Sequence, residues 1–224
     1  MTKRILAVVA TEREQAALLR DVEAEPLSIG PYFTSARTPA ADVIVSGIGP
    51  AAAAAATSQA LARADYDFCL SLGICGAFRG TADIGDIVVA TQLVAADLGA
   101  ESPGGFLSIS SLGWDDDTVD VDADLLGETV ARLGDVVTGP LLTVSTVTGT
   151  RARADELAAR HGAVAEAMEG WGVWEAGRVD GRSVIEVRTV SNHIGDRDTA
   201  LWDFPAAFES LAVVGAKLLA GPWL

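Results

Sequence analysis

The 224-residue chain is 50% hydrophobic and 21% charged, and 31 acidic against 16 basic residues give it a formal net charge of −15. This length can bury a sizeable core within a single domain spanning residues 1–224. The acidic excess argues against nucleic acid or an anionic membrane as partner, because both reward basic patches. In the opening MTKRILAVVATERE the apolar run is too short for a secretory core or a membrane span, so a soluble, cytoplasmic protein is expected. Cys69 and Cys75 are too few for a disulfide framework or a structural zinc site and read as small core residues. The acids Asp115, Asp116 and Asp117, with Asp120, Asp122 and Asp124, read as a solvated loop and helix start rather than a cation site.

β-rich apolar runs alternate with helical stretches. Arg4 to Ala10 (RILAVVA) predicts a strand and Glu12 to Arg20 a helix. Asp42 to Ser46 predicts a short buried strand. The alanine run inside Pro50 to Arg63 predicts a helix, alanine being the best helix former. Strands are expected at Phe68 to Leu72 and Ile84 to Leu93, a helix at Leu125 to Leu133 and a strand at Pro140 to Thr146. Arg151 to Arg160 and Glu169 to Arg178 predict helices, Val184 to Val190 a strand, and Pro205 to Leu219 a closing helix. Such alternation implies a largely parallel sheet covered on both faces. No helix directly follows the Ile84 strand, so the sheet should be mixed. Ligands of these sheets bind beyond the carboxyl ends of the strands, which makes the residues there the candidates for function.

Gly47-Ile48-Gly49-Pro50-Ala51-Ala52 fits the G-x-G-x-x-A dinucleotide pattern. Three features oppose that reading. Pro50 has no N–H for a pyrophosphate, no acid ends the next strand, where Ser71 and Leu72 stand, and the motif follows the second strand rather than the first. It reads as a tight turn with close strand–helix packing, and no cofactor is expected. Ser71-Leu72-Gly73-Ile74-Cys75-Gly76 reads as another glycine-bearing turn at a strand end, where backbone can approach a ligand closely. No grouping of histidines and acids has metal-ligand spacing, so no metal is expected either.

Taken in order, ILAVVATEREQAALL (Ile5 to Leu19), VSGIGPAAAAAAT (Val45 to Thr57), SLGICGAF (Ser71 to Phe78), GDIVVATQLVAAD (Gly85 to Asp97), VAEAMEGWGVW (Val164 to Trp174) and VRTVSNHIGDRD (Val187 to Asp198) resemble the nucleoside phosphorylase and nucleosidase superfamily. The resemblance implies a three-layer α/β/α domain with a mixed, largely parallel central sheet. It also implies a small-molecule nucleoside substrate, water as co-substrate, and a homodimer or larger homo-oligomer. Within the superfamily the chain is most similar to hydrolases of an alternative menaquinone pathway. These release hypoxanthine from a nucleoside bearing a carboxyphenyl ketone at its 5′ end.

Several residue roles follow from the resemblance. Met168-Glu169 matches a Met-Glu pair whose glutamate accepts hydrogen bonds from the ribose hydroxyls, work suited to an acceptor-only group. Its charge also lies near a sugar that becomes oxocarbenium-like. Glu14, aligned through Ala10 and Leu18-Leu19, falls on the glutamate that activates water, with Glu12 as the alternative. Phosphorylases carry Arg-x-Gly-Thr/Ser where this chain has Ser71-Leu72-Gly73-Ile74. Serine cannot neutralise a phosphate dianion, isoleucine cannot donate to one, and no basic residue stands at that turn, which favours water. Asn192 stands where adenine-specific relatives have aspartate. Its carbonyl can accept from N7–H while its amide donates to O6, which suits a 6-oxopurine, although a flipped amide can also face N6 and N7 of adenine. The leaving base would then take its proton from water, with Asp196 and Asp198 as candidate relays.

The loop Ser145 to Thr150 matches a base-contacting segment of relatives, bringing Thr148 and Gly149 toward the base, but it lacks their aromatic ring. Trp202 is an available stacking partner, whereas Trp171 and Trp174, three residues apart, read as core. His193 reads as structural and His161 as a helix C-terminal residue before Gly162. Arg79, Arg188 and Arg197 are equal candidates for binding a 5′ carboxylate, and Gly99 to Trp114 is a candidate cover. Other readings are a methylthioadenosine/adenosylhomocysteine-type nucleosidase, a phosphorylase, or a nucleoside-binding protein without turnover.

Overall fold

A computed structural model of the chain describes residues 3–29 and 34–223. The first apolar run folds as strand β1 (Ile5–Val9), buried throughout, and passes through Thr11 into helix α1 (Glu12–Leu18). Short strands β2 (Glu25–Leu27) and β3 (Ser35–Arg37) form an antiparallel edge beside β4 (Ala41–Val45), and helix α2 (Pro50–Leu61) follows. Next come β5 (Phe68–Ala77), β6 (Ile87–Ala95), the hairpin β7 (Gly99–Ser102) and β8 (Gly105–Ser108), then β9 (Thr118–Asp120) and α3 (Ala123–Leu133). The chain ends with β10 (Val137–Thr143), α4 (Arg151–His161), β11 (Ala165–Ala167), α5 (Gly170–Asp180), β12 (Ser183–His193) and α6 (Phe204–Leu218).

The large sheet runs β11-β10-β6-β12-β5-β1-β4-β3-β2, with β9 added beside β6. β4, β1, β5 and β12 are mutually parallel, and β6 is antiparallel to β12, which makes the sheet mixed as expected. The connection β1–α1–β4 moves one way along the sheet and β4–α2–β5 returns past β1. Right-handed crossovers therefore put α1 and α2 on opposite faces. α1 packs with α6, and α2 with α5, completing the three layers. This reversal beside β1 is a switch point, the place where such sheets open a ligand crevice.

One feature of the sheet exceeds the expectation. β11 pairs with β10 and also antiparallel with β5, through Ala165–Ala77 and Glu166–Gly76. Strands β5, β12, β6, β10 and β11 thus close into a ring, sealed by a strand of three residues.

The segment expected as a turn from Ser71 to Gly76 is strand interior, because β5 continues to Ala77. Glycine weakens an isolated strand, but here β12 pairs with β5 at both Gly73 and Gly76, and the ladder overrides local preference. Asn192 and His193 likewise belong to β12 rather than to a following loop. Elsewhere local chemistry behaves as read. Asp122 caps α3, Gly162 ends α4 in the left-handed region after His161, and Trp171 stacks on Trp174 with ring centroids 4.4 Å apart. Cys69 and Cys75 are free and buried, and burial pushes both thiols up to about 12. Among the described residues no helix is long and apolar enough to cross a membrane.

Candidate active site

The switch point is occupied by charge. Thr11 caps α1, its hydroxyl accepting from the Glu14 N–H, while Glu14 Oε2 accepts from the Thr11 N–H and hydroxyl, each at 2.9 Å. This capping box fixes the carboxylate on the first helical turn. Its other oxygen accepts from the Ile74 N–H of β5 at 3.1 Å. Burial pushes the Glu14 carboxyl above the ordinary value of 4.5, against the opposing pull of Arg188 and the Ile74 N–H. Glu12 is exposed and accepts from the Thr34 hydroxyl, so of the two glutamates it is Glu14 that lines the cavity.

Arg188 of β12 is 1% exposed and spends its guanidinium on three partners. Nε donates to Glu186 Oε1 at 2.8 Å, Nη1 to Glu169 Oε2 at 3.1 Å, and Nη2 to Ser71 Oγ at 3.0 Å. Glu169 Oε1 in turn accepts from the Gly49 N–H at 3.1 Å. The glycine turn before α2 therefore offers its amide to a carboxylate, not to a pyrophosphate. Burial raises the Glu186 carboxyl as well, and its Oε2 has no partner.

This corrects the expectation that no basic group stands near Ser71. Arg188 arrives from another strand, in register with Gly73. A signal was present: in VIEVRTV two opposite charges sit two apart in an otherwise apolar run, hence on one face of a buried strand.

A cavity of about 240 Å³ opens beside this cluster, lined by Glu14, Ile74, Glu166, Met168, Glu169 and Asn192 among others. At its rim are Ile48, which is 63% exposed, and Trp202. A register shift in β12 between Val190 and Asn192 sets Asn192 opposite Gly76, and the Ser191 hydroxyl donates to Asn192 Oδ1 at 2.9 Å. A bulge re-aiming a side chain beside a cavity is a recurrent device. Ser71 lies fully buried behind the cavity, holding Arg188. Gly73 (φ +153) lies there too: a Cβ at this position would stand 2.5 Å from Glu14 Oε1 and 2.7 Å from Arg188 Nη1.

Other expected site residues are turned elsewhere. The Thr148 N–H and hydroxyl both donate to Glu166, at 2.8 and 2.6 Å, and the Gly149 carbonyl accepts from the Arg197 N–H. Val147, not Thr148 or Gly149, is the residue of that loop that lines the cavity. Asp196 accepts from the Arg151 N–H and Asp198 caps the short helical turn 199–201, so neither relay candidate reaches the cavity wall. His193 Nε2 lies 3.2 Å from the Ala82 carbonyl, a structural role. Hairpin β7–β8 docks by α4, with the Arg160 guanidinium 4.7 Å over the Phe106 ring, and does not line the cavity. The three arginines separate. Arg188 is buried and fully engaged, Arg79 is exposed and away from the cavity wall, and Arg197 is exposed with its guanidinium 5.4 Å over the Trp202 ring. Among the described residues no group of three or more His, Cys, Asp or Glu could hold a metal ion.

A mixed sheet with carboxylates gathered at the switch point defines a class, and the sequence agrees: the chain belongs to the phosphorylase superfamily, matched over residues 4–221. More particularly, it is similar to the futalosine hydrolase of Streptomyces coelicolor, 42% identical over 222 residues that cover 96% of this chain and 94% of that protein. The futalosine hydrolase of Acidothermus cellulolyticus is 44% identical over 187 residues, covering 81% and 76%. The solved structure of futalosine hydrolase from Helicobacter pylori shares the fold, with a TM-score of 0.76 at 22% identity, covering 98% of this chain and 96% of that one.

Proposed function

We propose that this chain hydrolyses the N-glycosidic bond of futalosine, releasing hypoxanthine. The observation that carries the reading is a pair of buried carboxylates, Glu14 and Glu169, on one cavity wall around Arg188. The 42% identity to a futalosine hydrolase supports the choice of substrate. Glu169 accepts from the ribose hydroxyls, with Met168 against the sugar, and opposes the positive charge that develops on the ring. Glu14 takes a proton from the attacking water, and its raised carboxyl makes it a stronger base than a free glutamate. Arg188 orients Glu169, and its charge balances part of the cluster. Three carboxylates, Glu14, Glu169 and Glu186, surround that single guanidinium, so a phosphate dianion is repelled where neutral water is not. The Asn192 amide serves N7 and O6 of the departing base, which draws its proton from water.

The 5′ carboxylate of the substrate is assigned to Arg197, whose exposed guanidinium lies over the cavity-lining Trp202. The protein works in the cytoplasm on a small nucleoside, with no nucleic acid or membrane partner, and as a homodimer or larger homo-oligomer. Exposed Leu98, Leu107 and Trp114 around hairpin β7–β8 support self-association, which light scattering would read as twice the chain mass or more.

The test offers the protein futalosine, its 6-amino analogue, methylthioadenosine and inosine, with and without phosphate, and assays free base. Hypoxanthine from futalosine at a rate indifferent to phosphate is expected. Adenine from methylthioadenosine with none released from futalosine would overturn the reading, and a requirement for phosphate would make the enzyme a phosphorylase.

A further inference from the structure

Glu166 is not needed by the chemistry described above, yet it is 4% exposed and lines the same cavity. Its position follows from the ring closure of the sheet. Gly76 of β5 is paired on one side with Glu166 of β11 and on the other with Asn192 of β12. Residues directly opposite across strands share a face, so Glu166 and Asn192 flank Gly76 in one row. Gly76 lines the cavity with backbone alone, and its lack of a side chain lets Asn192 and Ile194 pack close beside it: a Cβ there would stand 3.1 Å from Asn192 Nδ2 and 2.9 Å from Ile194 Cγ1. The result is a slot floored by backbone, with an amide at one wall and a carboxylate at the other.

The edge of a 6-oxopurine runs from N7, an acceptor before protonation, through O6, an acceptor, to N1–H, a donor. We infer that Glu166 is a specificity-determining residue that accepts a hydrogen bond from N1–H of the purine while Asn192 serves the N7 and O6 side. The inference rests on the reading of this cavity as a purine nucleosidase site. A 6-aminopurine carries a lone pair at N1, and a carboxylate facing it is left without a donor and repelled. Both Glu166 oxygens already accept from Thr148, one from its N–H and one from its hydroxyl, which holds the group as an acceptor and anchors the loop beside it. Each carboxylate oxygen retains a further lone pair for the base.

The test has two arms. In the first, the unaltered protein cleaves futalosine while hypoxanthine, 1-methylhypoxanthine and adenine are compared as product inhibitors. Hypoxanthine should bind at least tenfold more tightly than 1-methylhypoxanthine, which lacks N1–H. Equal inhibition by the two would overturn the proposal without recourse to any variant. In the second, Glu166→Gln should lower the ratio of kcat/KM for futalosine over its 6-amino analogue by tenfold or more. A ratio unchanged within about twofold would also overturn it. If the unaltered protein releases no base from futalosine, the proposed function itself fails. If it turns over futalosine but ignores N1 methylation, only the role of Glu166 fails.

Discussion

Glu14 performs two tasks with one carboxylate: it completes the cap of α1 and it faces the cavity. The first task orients it for the second. Glu14→Gln keeps an acceptor for Thr11 but no base, and should lower kcat by about a hundredfold or more while KM changes little. A near-normal kcat would remove Glu14 from the mechanism. Because burial raises this carboxyl, Glu14 gains a proton, and stops serving as base, at a pH above the ordinary glutamate value of 4.5. The acid limb of kcat/KM should therefore lie above that value, and a limb at or below it would contradict the assignment. Asn192→Asp should shift preference toward a 6-aminopurine, measured as the kcat/KM ratio of the two futalosine analogues. Arg197→Ala should raise KM for futalosine about tenfold while leaving inosine, which lacks the 5′ carboxylate, within twofold. A parallel rise for both substrates would show that Arg197 does not read the 5′ group.

At the level of elements, the site depends on strands passing close to one another. β5 crosses Glu14 at Gly73, with no room for a Cβ between that carboxylate and Arg188. Gly73→Ala should cut kcat at least tenfold and cost about 1–3 kcal/mol of stability, the first read by steady-state kinetics and the second by urea unfolding. Wild-type values for both would mean that the approach is looser than the geometry requires. The same dependence explains what could be read from the chain. Helices and long strands announce themselves by local pattern, as RILAVVA and the alanine run do. Glu14 and Glu169 could be located because each follows a recognisable strand or motif. Glu186 and Arg188 carry a signal as charges on one face of a buried strand, but which carboxylates that arginine meets depends on strand pairing. Glu166 has no signal, because the ring closes through a three-residue strand with no pattern of its own. The same dependence holds for Thr148: its N–H and hydroxyl are spent on Glu166, a partner that only the closure of the sheet brings beside its loop.

For the whole molecule, the charge of −15 takes on a local meaning in the buried cluster, where three carboxylates meet one arginine. Burial raises Glu14, Glu166 and Glu186, so the folded protein holds their protons more tightly than the unfolded chain does. Their contribution to stability is complete below the unfolded carboxylate pKa and is lost as pH rises through the folded values. Asp42 works in the opposite sense at more acid pH: held low by Arg37, Tyr66 and Arg4 against its burial, it stabilises above its unfolded value of 3.8 and loses that contribution as pH falls. Glu186→Gln removes one of the raised protons, so the fall of Tm as pH rises above the ordinary glutamate value of 4.5 should be shallower than in the unaltered protein. An identical slope would show that folding does not raise the Glu186 carboxyl. The central claim, that water attacks the anomeric carbon of futalosine and hypoxanthine departs, is tested most directly by turnover in ¹⁸O-labelled water with phosphate present and mass analysis of the sugar product. The account predicts hypoxanthine and a free sugar carrying one ¹⁸O at C1′; a sugar 1-phosphate, or a sugar without the label, would contradict it.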